Sequence, residues 1–597
     1  MSRARSGKKT KRVTPVRPAV SQQRVRCLAS VFVIVIAIFG YRLADLQLTP
    51  DAALAQPIGP RFRTAELDAP RGQILDRYGR SFALSLPAPS VVVDPRLVPV
   101  GQIPAMVQAL SGLLTTDPAT LRDRLGRDSA FAYLERQVDP EVGKAVMELG
   151  LPGIRLEDED RREHPNGECS GLGVVGRVDI DQVGISGVEL VYDDVLTGRE
   201  GRRQAETSAD GSATIPGGLL EVEEAQPGSD LSLTLERNLQ YKSEQILAEA
   251  VEYWTADQGL ALVMIPSTAE IIAAAGVGRD KETGLAACTT TNLTSTWTYE
   301  PGSIIKPLTI AGVLDAALTT PFEEIALPDV IEKVADEGEI KTYRDYFEHA
   351  QDTYTPTEIM SKSSNVGTMT LAERLGPQKL FDVLEDFGLG RPTSLGLPGE
   401  ASGILDPLDE NTLRLTNVSI GQGVAVTPLQ MLGAYNTLAS GGLSVPPVVV
   451  AAEVGVATPT RVVSEQTADQ VMAMMREVVD NGTGSRAAVE GYHVAGKTGT
   501  AWEPCDNNGY WCLDETRYYA TSFAGLIGND LGPQVSILVI LDNPHNPDPT
   551  KGVGGGSVAA PIFAEIAEEA VRQLRIPPAT SGDQRDRVRA APAVALP

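Results

Sequence analysis

Hydrophobic positions along the chain change their period several times. An apolar run from Cys27 to Tyr41 has no charged break and continues past Arg42 through Leu43, Ala44 and Leu46. That run is slightly short for a bilayer, but a snorkelling Arg42 lengthens it, so residues 27–48 are expected to form a transmembrane anchor. Ala53-Leu54-Ala55 imitates a signal-cleavage site, yet Arg42, Asp45 and Asp51 separate it from the apolar run, which favours an uncleaved anchor. Further on, Ser90-Val91-Val92-Val93-Asp94 has strand character, and residues 104–150 alternate apolar and charged residues at helical spacing, predicting two or three short helices. From about residue 230 the texture changes. Asp230–Leu235 reads as a strand, Asn238–Tyr253 as a helix with Leu239, Ile246, Leu247 and Val251 inward, and Gly259–Ile265 with Glu270–Ala275 as a hairpin around Pro266-Ser267-Thr268. Val535–Leu541 should be a core strand and Pro561–Leu574 the last helix, followed by a polar, proline-containing tail from Ile576 that is expected to be disordered. A helix, an antiparallel sheet and a helical insert imply an α+β domain.

Length and charge narrow the picture. A chain of 597 residues should hold more than one domain. Its net charge of -26 repels phosphates and argues against nucleic acid as a partner. Residues 1–26 depart from that balance, with nine Lys/Arg and no acid. A basic segment before the anchor and acids after it predict that the N-terminus lies inside and residues 49–597 outside the cytoplasmic membrane. Five cysteines fit that address. Cys505 and Cys512 close a short loop, where a disulfide would contribute about 2–3 kcal/mol, whereas half a zinc site is a poor fit without a second ligand pair. Cys27 falls in the anchor, and Cys169 and Cys288 fall in different predicted domains, with no pairing assigned by the sequence.

Candidate chemistry centres on Tyr299-Glu300-Pro301-Gly302-Ser303-Ile304-Ile305-Lys306-Pro307. If Ser303 opens a helix, Ser303 and Lys306 share a face, and the lysine can reach the hydroxyl. A serine hydroxyl needs an adjacent base, and lysine serves only if its pKa falls by roughly three units, on the order of 4 kcal/mol, through burial and neighbouring cations. Ser363-Ser364-Asn365 follows about 60 residues later, and Lys497-Thr498-Gly499-Thr500 closes the set. A helix cap and a strand end would explain either one alone. The order Ser-x-x-Lys, Ser-x-Asn, Lys-Thr-Gly is the signature of penicillin-recognising serine acyltransferases.

Other stretches sharpen the resemblance. Arg71-Gly72-Gln73-Ile74-Leu75-Asp76-Arg77-Tyr78-Gly79-Arg80, residues 161–201 with Gly187-Val188-Glu189-Leu190, and residues 419–444 with Gly421-Gln422-Gly423 and Thr427-Pro428-Leu429-Gln430 resemble class B penicillin-binding proteins. Glu300 before Pro301-Gly302-Ser303 is similar to the FtsI-type, division-specific members, whereas elongation-type relatives tend to carry a proline there. The resemblance implies a penicillin-binding transpeptidase fold, an antiparallel sheet with helices and an all-helical subregion, preceded by a pedestal domain and one transmembrane helix. The expected segments are a basic cytoplasmic tail at 1–26, the anchor at 27–48, a dimerisation-type pedestal at 49–229, the transpeptidase domain at 230–575 and a tail at 576–597.

The resemblance also implies the roles. Ser303 is the nucleophile and Lys306 its base. Ser363 relays a proton and Asn365 holds the peptide amide. Lys497 adds positive charge that depresses the Lys306 pKa and, with Thr498, Gly499 and Thr500, binds the substrate carboxylate. The N–H groups of Ser303 and Thr500 form the oxyanion hole. The implied reaction is D,D-transpeptidation of peptidoglycan stem peptides, without metal or cofactor and blocked covalently by β-lactams. Implied partners are a SEDS-type glycosyltransferase and other divisome membrane proteins, at the septum. Ile304-Ile305 departs from the usual threonine-containing pair and puts rate or β-lactam affinity in question. Glu157-Asp158 with His164 only imitates a glycosyltransferase motif, since Arg161 and Asn166 break it, and His493 reads as a packed or edge histidine. The rivals are an elongation-type transpeptidase, a D,D-carboxypeptidase or β-lactamase using the same serine, and a non-catalytic scaffold or β-lactam sensor.

Overall fold

The computed structural model describes residues 22–48, 62–167, 170–207, 215, 220–334, 340–346, 352–408, 412–503, 517–548 and 552–580. It divides into two compact units, one holding residues up to Leu67 with Glu200–Glu224, the other Asp68–Arg199 and everything from Ala225 onward. The division therefore runs inside the segment 49–229, and most of that segment forms one unit with the domain that follows it.

In the first unit, Gln22–Leu48 is a single helix. Its stretch Val25–Ala44, 20 residues long and exposed throughout, is long and apolar enough to cross a membrane, at about 1.5 Å per residue against a hydrocarbon core of about 30 Å. The same unit contains a three-stranded antiparallel sheet with Gly201–Glu206 between Phe62–Leu67 and Leu220–Glu223.

The second unit begins with a small sheet of Leu231–Ser232, Ile74–Leu75, Ser81–Pro87 and Asp160–Glu163, in that order. The charged turn of the Arg-Gly-x-Ile-x-Asp-Arg-x-Gly stretch links two of these strands. Gly79 takes φ +79°, and Asp76 Oδ1 accepts the backbone N–H groups of Tyr78 and Arg80, both at 2.9 Å. Asp76 Oδ2 also accepts the backbone N–H of Arg237 at 3.2 Å, joining this turn to the first helix of the next domain. Nearby, fully buried Glu189 receives Arg71 Nε at 2.7 Å and Arg162 Nε at 2.8 Å. A buried carboxylate with both oxygens paired is tolerated, and stripping either arginine would leave it costly. The helical spacing over 104–150 resolves into three helices, Ile103–Leu110, Pro118–Leu125 and Pro140–Glu148, with the strand Ala132–Glu135 among them. Met106, Leu110, Leu121 and Leu134 close a core over Ser90–Val93.

The larger domain is built on a six-stranded antiparallel sheet. Its strands are β1 (Gln258–Ile265), β2 (Glu270–Arg279), β3 (Ala286–Cys288), β4 (His493–Glu503), β5 (Tyr518–Asn529) and β6 (Gly532–Asp542), in the order β3-β2-β1-β6-β5-β4. Both faces are covered, so the central strands read as continuous apolar runs whose alternation sorts side chains by face. Ala261, Val263, Ile537 and Val539 meet Leu239, Leu247 and Val251 of α1 (Arg237–Tyr253) and Phe563 and Ile566 of α6 (Ala559–Gln573). Leu260, Leu262, Leu538 and Ile540 face the other way, towards α2 (Lys306–Asp315) and α4 (Pro428–Ala439), while α3 (Asn365–Leu375) and α5 (Glu465–Asp480) complete the helical side. From Lys306 to Leu314 every residue of α2 is buried, which makes it the central helix of that side.

Two expectations shift. Residues 576–580 are docked: Tyr492 Oη donates to the Ile576 carbonyl at 2.8 Å, Asn529 Nδ2 to Pro577 O at 2.8 Å, and Ala579 N to Gly491 O at 2.8 Å. Disorder expected from Ile576 therefore does not hold for 576–580, and residues 581–597 lie outside the described residues. Cys288 is disulfide-bonded to a cysteine outside the described residues, and Cys27 is a free thiol. Cys505 and Cys512 also lie outside the described residues.

Candidate active site

Ser303 stands in a single 3-10 turn, Gly302–Ile305, which runs directly into α2, with Pro307 in the first turn of that helix. Sequence suggested that Ser303 itself opens the helix; the tighter turn keeps residues three apart on one face. The turn is clamped from behind. Gly302, at φ +55°, donates its N–H to Gly421 O at 3.0 Å, and a Cβ on Gly421 would lie 2.2 Å from Gly302 O. Tyr299 and Val426 exchange backbone hydrogen bonds, both 3.0 Å, and Gly423 N donates to Glu300 Oε1 at 2.9 Å. Tyr435, fully buried on α4, donates its hydroxyl to the Ile304 carbonyl at 2.8 Å. The stretch Gly421–Tyr435 thus fixes the backbone on which Ser303 rides. Ile304 and Ile305 are both fully buried, so their side chains pack rather than line the site.

Lys306 is fully buried, and its Nζ donates to Ser363 O at 2.7 Å, Asn365 Oδ1 at 2.7 Å and Ser363 Oγ at 3.4 Å. None of these contacts goes to Ser303. The serine-lysine contact expected from spacing is absent here because Ser363 and Asn365 occupy the ammonium, and catalytic hydrogen bonds often tighten only with substrate bound. Burial pulls the Lys306 pKa down from 10.5 to about 7, while the Asp345 carboxylate pushes the other way. The depression was expected to come in part from the charge of Lys497. Desolvation accounts for it instead, and the repulsion appears on Lys497, whose pKa falls well below its ordinary value through burial first and the Lys306 charge second.

The Ser363-Ser364-Asn365 turn enters α3. Ser363 has φ +58°, a left-handed conformation that costs a residue with a Cβ on the order of 1 kcal/mol. Ser364 caps α3, its Oγ accepting Gly367 N at 2.8 Å. Lys497, fully buried on β4, donates to Ser363 Oγ at 2.8 Å and to Thr498 O at 3.2 Å. Both lysines therefore converge on one serine.

β4 is the edge strand of the sheet, with the nucleophile turn against its free side. Gly499 is required there: a Cβ would stand 2.9 Å from Ile304 Cγ2 and 2.2 Å from Ser522 Oγ. Thr498 Oγ1 and Thr483 Oγ1 are 2.7 Å apart, and exposed Thr500 accepts Gly555 N on Oγ1 at 3.1 Å.

All eight residues singled out from sequence thus fall on three adjoining elements. Two were missed. Tyr435 holds the nucleophile turn through Ile304, 131 positions away, and Asp345 sits in a stretch with no motif spacing to mark it. His493, at the far end of β4, contacts Asp530 Oδ1 at 3.2 Å, as an edge histidine would. Glu157 ends the strand Ile154–Glu157, and His164 follows the strand Asp160–Glu163. Among the described residues no group of three or more His, Cys, Asp or Glu side chains is disposed to hold a metal ion.

The family model of the penicillin binding protein transpeptidase domain covers residues 259–568, and that of the penicillin-binding protein dimerisation domain covers residues 66–233. The chain is 33% identical to penicillin-binding protein PbpB of Mycobacterium tuberculosis over 96% of its own length and 89% of the relative's. It is 30% identical to peptidoglycan D,D-transpeptidase FtsI of Escherichia coli, over 94% of each. Among solved structures, penicillin binding protein 3 from M. tuberculosis complexed with aztreonam is similar with a TM-score of 0.62 at 28% identity, over 86% of this chain and 98% of that one. A peptidoglycan synthetase from Bifidobacterium adolescentis gives a TM-score of 0.65 at 26% identity, over 88% and 99%.

Proposed function

The chain belongs to the class B penicillin-binding proteins, and from that premise we propose a mechanism in which Ser303, Lys306, Ser363, Asn365 and Lys497 carry out peptidoglycan D,D-transpeptidation. The observation that carries the assignment is the convergence of Lys306 and Lys497 on Ser363 beside the Ser303 turn. Neutral Lys306 takes the proton of Ser303 as Oγ attacks the penultimate D-alanine carbonyl of a stem peptide. The new Oγ–C bond forms, and the proton passes through Ser363 to the nitrogen of the departing D-alanine as the amide bond breaks. An amine of a neighbouring stem then attacks the acyl-serine, gives up its proton along the same relay, and releases Ser303 with the cross-link made. Backbone N–H groups of Ser303 and Thr500 stabilise the oxyanion, a contribution of about 3–4 kcal/mol in hydrolases. Lys497, Thr498 and Thr500 receive the substrate carboxylate, and Gly499 lets β4 approach the nucleophile turn.

A β-lactam follows the first half of this path, its ring amide opening on Ser303 while the amine stays tethered. The aztreonam complex of the M. tuberculosis relative supports that reading. Similarity to FtsI supports a septal role, with a SEDS-type glycosyltransferase and divisome proteins as membrane partners. The nine basic residues ahead of the apolar helix support an N-in, C-out orientation.

The test is labelling with fluorescent penicillin followed by mapping of the modified peptide. Ser303→Ala should abolish covalent labelling while leaving the protein folded. Undiminished labelling of that variant overturns the assignment.

A further inference from the structure

Asp345 takes no part in the mechanism above, yet it bonds to the three residues that follow Ser363. It stands just past the strand Ile340–Arg344. Its Oδ2 accepts Ser364 Oγ at 2.6 Å, and its Oδ1 accepts the backbone N–H groups of Asn365 at 2.5 Å and Val366 at 3.0 Å. The neighbouring Arg344 carbonyl accepts Asn365 Nδ2 at 3.1 Å. Asn365 is therefore gripped from both sides, with Nδ2 on Arg344 and Oδ1 on Lys306 Nζ. The carboxylate sits at the N-terminus of α3, where the helix dipole favours a negative charge.

Lys497 faces Lys306 from β4, and Asp345 faces it from the end of Ile340–Arg344. Lys362, beside the turn, lies over the Tyr354 ring at 3.8 Å, and Glu300 Oε1 is turned to Gly423 N. We propose that Asp345 is a positioning residue of the transpeptidase site: it locks the left-handed Ser363 turn that presents Ser363 and Asn365, and its negative charge sets the basicity of Lys306. The inference rests on the reading of Lys306 as the base. Its electrostatic half agrees with the direction of the Asp345 effect, which favours the ammonium against desolvation.

The experiment uses the full-length protein in detergent and measures the rate constant for acylation by fluorescent penicillin as a function of pH. In the wild type the rate falls as pH drops and Lys306 becomes protonated. Asp345→Asn removes the charge that favours the ammonium, so the acidic midpoint should move down by about one unit, together with a lower plateau. Asp345→Glu keeps the charge at a longer reach, so its plateau should fall while its midpoint stays with the wild type. A purely structural role would lower the plateau of both and move neither midpoint. An unchanged midpoint in folded Asp345→Asn overturns the proposal. Should that variant not fold, Asp345→Ser carries the same expected downward shift, and a wild-type midpoint there overturns it equally. Labelling that survives Ser303→Ala would instead bring down the nucleophile and base assignments, an outcome these midpoints cannot mimic.

Discussion

Replacing Lys306 with Met keeps an unbranched chain of similar length in the buried channel and removes both charge and base. The expected loss follows from the burial of this side chain. With a pKa of about 7, roughly three-quarters of the Lys306 amines are neutral near pH 7.5, whereas at the ordinary value of 10.5 only about one in a thousand would be. Burial therefore raises the population of competent base by nearly three orders of magnitude, and general base catalysis itself is worth about 10²–10⁴. Acylation of Lys306→Met should accordingly fall by about 10³ or more. The acidic limb near pH 7, present in the wild type because a lowered lysine pKa leaves the neutral amine above that pH and the ammonium below it, should vanish. Lys306→Arg should rescue nothing, since a guanidinium stays protonated at accessible pH and its planar fork does not reproduce the contacts to Ser363 and Asn365. The assay is the second-order rate of covalent labelling with fluorescent penicillin across pH, with circular dichroism as the check on folding. An Arg variant within tenfold of the wild type, or an acidic limb that persists unchanged in the Met variant, would show that the proton leaves Ser303 by another route.

Gly499→Ala places a methyl 2.2 Å from Ser522 Oγ and 2.9 Å from Ile304 Cγ2; overpacking of this kind costs about 1–3 kcal/mol, and labelling should slow by more than tenfold, with a normal rate refuting the need for close approach. Tyr435→Phe leaves the buried Ile304 carbonyl without its donor, for a cost of about 1–3 kcal/mol that a thermal melt and slower labelling should both register. Non-reducing peptide mass spectrometry should find Cys505 joined to Cys512; because Cys288 is disulfide-bonded and Cys27 is free, Cys169 is then the partner expected for Cys288, and free thiols at Cys505 and Cys512 would rule out this pattern.

What sequence disclosed depended on how local each signal was. The Asn238–Tyr253 helix, the hairpin about Pro266-Ser267-Thr268 and the last helix were visible because burial on one or both faces writes itself into residue period. The strand Ala132–Glu135 was not, because four residues between helices carry too short a pattern to outweigh their flanks. The catalytic set was visible through three short motifs, but their mutual contacts were not. Spacing suggested a bond between Ser303 and Lys306, whereas Lys306 reaches across to Ser363, 57 positions away. Asp345 was invisible for the same reason: its work is done on backbone N–H groups of another element, and any acid in a polar stretch looks alike on paper. Likewise, the cause of the Lys306 shift could not be read from the presence of a second lysine, because burial is set by the whole helical side of the domain.

The charge balance at the site gives the last step. Lys306 and Lys497 are both fully buried and both bond to Ser363, and Asp345 supplies a carboxylate acting on Lys306. Burial lowers the pKa of both lysines, and the Lys306 charge lowers that of Lys497 further. Reduced protonation keeps Lys306 competent as a base in the empty enzyme. A ligand that brings its own anion changes the balance. The terminal carboxylate of a stem peptide, or the carboxylate of a β-lactam, would sit beside Lys497, Thr498 and Thr500 and favour the charged form of Lys497 without entering the contacts of Lys306. One lysine then binds as a cation while the other acts as a neutral base. That division of labour requires two lysines on different elements and a single serine between them, which is the arrangement that α2, the Ser363 turn and β4 create.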